Sequence, residues 1–83
     1  MGLDVVELVM NVEAHYDIRI SDGDARVMRS VGELHEYIMA NVHPTPDPNE
    51  SWLWLRDMIA QEFGVPVGRV TREAWVVRDL GIN

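Results

Sequence analysis

Three histidines, His15, His35 and His43, stand among fourteen acidic residues. Imidazoles and carboxylates bind metals and move protons, so they come first. The histidines do not group at metal-ligand spacing. Glu33, His35 and Glu36 are close in sequence, but such neighbours diverge around a helix and make no acid–base constellation. His35 reads as a satisfied, partly packed histidine. Asp22-Gly23-Asp24 begins like a calcium loop, yet the later ligands and the closing glutamate are absent. Ser21, Ser30 and Ser51 read as turn or cap residues. The chain has no cysteine, which removes disulfides, thiolate metal sites and thiol nucleophiles together. One line of residues keeps a possible functional meaning. Leu3, Val6 and Met10 run beside Asp4, Glu7 and Glu13, an apolar line set among acids that a helix does not need for its core. The plain alternative is a solvated face with stray apolar residues.

Helices must position that line. In residues 3–16, Val5, Leu8, Val9, Val12 and Tyr16 recur at helical spacing and form the inward stripe. Asp4 and Glu7 lie in the first two turns, where the helix dipole favours negative charge. A connector follows, anchored by Ile18 or Ile20, and Asp22 is expected to cap a short helical segment around 23–28. Ser30-Val31-Gly32-Glu33 has the spacing of a capping box and opens a helix over 31–41, with Val31, Leu34, Ile38 and Val42 inward. Gly32 costs that first turn roughly 1 kcal/mol relative to alanine. Residues 43–50 hold three prolines and read as a stiff linker. Asn49 or Ser51 is expected to cap a helix over 51–63, with Trp52, Leu55, Ile59 and Phe63 inward and Gly64 suited to its end. Residues 65–83 read as a long loop held down by Val65, Val67, Val70, Trp75, Val76 and Leu80. The fold class is all-α, a small bundle of three main helices plus a short one.

With 83 residues the chain is one small domain with a thin core. Its formal charge is −7, and all seven bases are arginine. So much negative charge repels phosphate backbones and anionic lipid, so neither nucleic acid nor membrane is an expected partner. No apolar run nears the roughly 20 residues of a membrane span, and a cytoplasmic location is expected. Trp52, Trp54 and Trp75 read as core and rim.

The residues then resemble a known family, the acyl carrier proteins. Those proteins open their second helix with Asp-Ser-Leu-Asp-x-Val-Glu-Leu-Val-Met, and residues Leu3 to Met10 match it with one free position. Asp17, Ile20, Asp22, Ala25, Val31, Tyr37 and Ile38 continue the match without a gap. Residues 1–42 thus resemble the family's second to fourth helices. Residues 51–83 resemble its beginning: Ile59 to Val65 looks like the end of its first helix, and Val70-Thr71 and Asp79-Leu80-Gly81 look like the loop after it. The family's first third therefore stands last, as in a circular permutation joined through the 43–50 linker. Joining Asn83 to Gly2 restores the family's text, with Met1 alone left over.

What the resemblance implies is a carrier fold that carries nothing. Gly2 occupies the position of the serine whose hydroxyl holds the family's 4′-phosphopantetheine arm, and glycine has no oxygen to esterify. Ser21, Ser30 and Ser51 lack the Asp-Ser-Leu context. No catalytic residue, cofactor or metal is expected. His35 falls where the family has an apolar residue. Leu3, Asp4, Val6, Glu7, Met10 and Glu13 fall on the face that carriers present to basic patches of their enzymes. The resemblance also implies that acyl chains can be sequestered among the helices, in a cavity between the tryptophans. The expected function is non-enzymatic docking on fatty-acid or polyketide-type acyl-transfer machinery. The alternative is an orphan structural or oligomerisation module, which a dimer swapping residues 51–83 would exemplify. A permuted order also predicts chain ends within about 10–12 Å, one helix diameter.

Overall fold

The computed structural model describes residues 3–82, with Leu3 described by its backbone. Four helices follow in order: α1 (Leu3–Tyr16), α2 (Asp22–Val27), α3 (Val31–Asn41) and α4 (Pro48–Phe63). A single 3₁₀ turn at Val67–Arg69 interrupts the last stretch. The expected all-α bundle is present. Met1, Gly2 and Asn83 lie outside the described residues, and with them the expected proximity of the ends.

The stripes converge as their spacing requires. Leu8 and Val12 from α1, Val31, Leu34 and Ile38 from α3, and Leu55 and Ile59 from α4 are at most 3% exposed and form one core. Val5, Val9, Tyr16, Trp52 and Phe63 pack partly buried at its edge. Asp17 ends α1 with φ 53, a left-handed conformation that aspartate tolerates better than most residues. Ile20, rather than Ile18, is the buried anchor of the connector.

Two helix starts differ from the sequence expectation. α2 is capped by Ser21, not Asp22: its hydroxyl accepts the amide of Asp24 at 3.1 Å. α4 begins at Pro48, not at 51, and its cap is Asp47, whose carboxylate accepts the Glu50 amide at 3.0 Å. A proline at the first helical position has its φ already set, and its missing N–H is one that a helix start leaves unpaired anyway. The linker is therefore shorter than 43–50. At the other end Gly64 takes φ 66, as expected of a helix-terminating glycine.

The carboxy-terminal stretch decides how α3 is held. Val65, Val70, Ala74, Val76 and Ile82 are buried, whereas Val67 is 47% exposed and holds nothing down. A helix leaves its first amides unpaired, and α3 satisfies them from two sources. Ser30 and Glu33 complete both halves of the capping box. The amides of Val31 and Gly32 donate to the carbonyls of Ala74 and Arg72 at 3.0 and 2.9 Å. Val76 donates back to Arg29 at 2.8 Å, and Ser30 and Trp75 form an antiparallel bridge. A Cβ on Gly32 would lie 2.8 Å from the Arg72 carbonyl oxygen, so glycine is what lets this strap approach.

Candidate functional site

The solvent face of α1 carries the line singled out in the sequence. Its opposite face is committed to the core through Leu8 and Val12, which leaves Asp4 and Glu7 exposed, Val6 half-buried and Met10 59% exposed. The side chain of Leu3 lies outside the described residues. Glu13 differs from the rest. Its carboxylate accepts the Ile20 amide at 2.8 Å, so it pins the connector after α1 as well as adding charge to the face. The apolar residues and exposed acids together make a short patch that a basic, partly apolar surface could cover.

The three histidines stay apart in three different settings. His43 is exposed. His15 is exposed and stacks on Trp54, with ring centroids 3.9 Å apart and planes 12° from parallel. His35 is 3% exposed and is the centre of a polar chain between three elements. The Arg72 guanidinium lies 3.1 Å from Nδ1, and the Ser51 hydroxyl 2.7 Å from Nε2. Guanidinium can only donate, so Nδ1 is the acceptor and the neutral ring carries its hydrogen on Nε2, which donates to Ser51. The Ser51 oxygen lies 3.2 Å from the Pro48 carbonyl, to which it can donate in turn. Burial first, and the Arg72 charge second, hold His35 below the ordinary imidazole value. Ser51 is thus a buried helix residue and not the cap of α4.

Other charged groups are spent on structure. The Glu33 carboxylate is lowered mainly by the Ser30 amide it accepts. Asp24 accepts the Tyr37 hydroxyl at 3.0 Å, and burial first and that bond second raise Tyr37 above its ordinary value. Asp79 is lowered chiefly by hydrogen bonding to Arg78, and next by the Trp75 amide at 2.8 Å. Arg78 and Arg29 lie 4.1 and 5.5 Å from the Trp75 ring centroid, and Arg72 lies 4.5 Å from that of Trp52.

No local pattern in the chain marks Arg72 or the arginines on Trp75. His35 and Arg72 are 37 positions apart, and no periodicity links them. The cavity expected between the tryptophans also lies elsewhere. It has a volume of about 410 Å³ and is walled by α1, α2, the start of α3 and Trp75–Arg78, with neither Trp52 nor Trp54 lining it.

A small all-α bundle with a half-acidic, half-apolar first helix is the class of protein defined so far, and comparison with known proteins agrees. The acyl carrier protein of Syntrophobacter fumaroxidans (strain DSM 10017 / MPOB) is 46% identical over 40 residues, which are 48% of this chain and 49% of the relative. The chain thus matches about half the length of that curated relative. No protein-family model matches it, and no solved structure does. The chain is acyl-carrier-protein-like, and its fold is a small helical bundle. Among the described residues no helix is long and apolar enough to cross a membrane.

Proposed function

We propose that this chain is a docking domain of carrier type that holds no prosthetic group, is not an enzyme, and works in the cytoplasm. It engages an acyl-transfer enzyme of fatty-acid or polyketide type through the solvent face of α1. The observation that carries this reading is Met10, 59% exposed on the same face as the exposed carboxylates of Asp4 and Glu7. An apolar side chain among acids suits a partner that offers a small pocket ringed by bases. Such a contact is steered by charge and weakened by salt.

The absence of the arm rests on Gly2, which offers no hydroxyl. The three serines support the same reading, because each is engaged: Ser21 and Ser30 cap helices, and Ser51 is buried against His35. The permuted order remains part of the proposal, and it explains why the family's first helix resembles α4.

Incubation with a broad phosphopantetheinyl transferase and coenzyme A, read by intact-mass spectrometry, tests the first half. The mass stays unchanged; a gain equal to the arm refutes the reading. The second half is tested by titrating an acyl-transfer enzyme that bears a basic docking patch with wild type and Glu7→Arg at two salt concentrations. Wild type binds and weakens with salt, and the charge reversal abolishes binding. Equal binding by both proteins removes the α1 face from the function.

A further inference from the structure

His35 is a buried base pressed against a permanent cation, and that cation belongs to the segment that closes α3. We propose that residues 71–76 form an acid-released strap, which protonation of His35 detaches from the start of α3.

The argument begins with donors and acceptors. Neutral His35 accepts from Arg72 at Nδ1 and donates to Ser51 from Nε2, so the chain is satisfied in one tautomer. The added proton goes to Nδ1, the nitrogen already facing the guanidinium. Two donors then confront each other across 3.1 Å, each with a positive charge, in a site that is 3% exposed. The surroundings offer little to offset this. The Pro48 carbonyl favours the proton first and Glu36, on the same helix as His35, next, but burial and Arg72 outweigh both, and the Glu36 carboxylate is exposed and screened. From α4 His35 meets the Ser51 hydroxyl, the Pro48 carbonyl, and the Trp52 ring at 5.6 Å. From the strap it meets Arg72.

Arg72 is the residue whose displacement matters. Its side chain reaches His35 and Trp52, and its own carbonyl accepts the Gly32 amide. The strap's other holds include the Val31–Ala74 and Val76–Arg29 backbone bonds, Arg29 over the Trp75 ring, and the burial of Ala74 and Val76. It is a short segment with few buried side chains, the kind that opens locally before the core does. Opening frees His35 to titrate near the ordinary value of about 6.5. Release therefore grows as pH falls below that value, by up to about tenfold per pH unit until the closed form also binds the proton. The Trp75–Arg78 wall of the 410 Å³ cavity is continuous with the strap, so release also unroofs the cavity.

Amide hydrogen exchange by NMR between pH 7.5 and 5, corrected for intrinsic rates, reads the strap directly. Protection at Val31, Gly32 and Val76 falls by about tenfold or more, while Val42, bonded to Ile38 at the other end of α3, changes less than about twofold. Ring carbon shifts of wild-type His35, followed in parallel, show it titrating below the ordinary value. His35→Gln, whose amide can accept from Arg72 and donate to Ser51, holds the strap at every pH. Three results overturn the proposal. One is uniform loss of protection along α3. Another is a His35 titration at or above 6.5. The third is protection of Val31, Gly32 and Val76 that stays constant while His35 titrates, which would mean that only the Arg72 side chain swings away. The wild-type measurements decide even if the glutamine variant does not fold.

Discussion

Gly23 and Gly32 stand at the second position of α2 and α3 respectively, and replacing each by alanine should have opposite effects. Alanine in a helix gains roughly 0.5–1 kcal/mol over glycine from lost backbone freedom in the unfolded chain. At Gly23 nothing opposes the gain, since the nearest atom to the new Cβ is the Ser21 hydroxyl oxygen at 4.0 Å. At Gly32 the Cβ meets backbone: the Arg72 carbonyl oxygen at 2.8 Å and its carbon at 3.4 Å. Backbone cannot rotate aside as a side-chain tip can. The strap must retreat, which stretches the 2.9 Å bond from Gly32 and pulls Arg72 from His35. Overpacking of this kind costs about 1–3 kcal/mol, and a strained hydrogen bond about 1 more. The net expectation is a loss of about 1–3 kcal/mol for Gly32→Ala against a gain of up to about 1 for Gly23→Ala. In a domain of this size 1 kcal/mol moves Tm by about 4–8 °C, so the two variants separate by roughly 10 °C or more. Thermal melts followed by circular dichroism, with urea midpoints alongside, make the measurement. If Gly32→Ala raises Tm as Gly23→Ala does, residues 71–76 do not lie against α3.

Three further outcomes follow from the same contacts. Ser51→Ala removes the acceptor of the buried His35 N–H and should cost about 1–3 kcal/mol in urea unfolding at pH 7.5. Asp47→Ala removes the cap of α4 and should cost about 1 kcal/mol, whereas Asn49→Ala should be near neutral because Asn49 is not the cap. Glu33 and Asp79 are both held below the ordinary carboxylate range. Their contribution to stability is therefore complete above their unfolded values and is lost as pH falls through the lower folded ones. Acid unfolding curves should become flatter below about pH 4.5 for Glu33→Gln than for wild type. An unchanged slope would remove the capping box from the acid response.

Much of the fold was legible in the chain because it is written locally. Helical stripes need only apolar residues at the right intervals, and Val31, Leu34, Ile38 and Val42 are buried as their spacing requires. The capping box of Ser30 and Glu33 spans three residues and forms as read. The two misplaced starts share one cause. Adjacent residues competed for each cap, Ser21 with Asp22 and Asp47 with Asn49 and Ser51, and backbone geometry rather than residue type chose between them. The α1 face was legible for a similar reason, since a helix with one side in the core must show the other to solvent. The bond that Glu13 accepts from the Ile20 amide was not legible, because it depends on how the connector folds back.

By itself the sequence determined an all-α, acidic, cysteine-free chain, its helix faces, and its likeness to acyl carrier proteins. These follow from residue identity and short-range spacing. Tertiary structure alone decided that His35 is neutral and enclosed, that Arg72 is its partner, and that Gly32 is small for a reason. His35 and Arg72 are 37 positions apart, and only the return of residues 71–76 across α3 brings them within 3.1 Å. Burial raises the cost of charge, and a neighbouring cation raises it again, so the character of that histidine belongs to the fold rather than to its place in the chain.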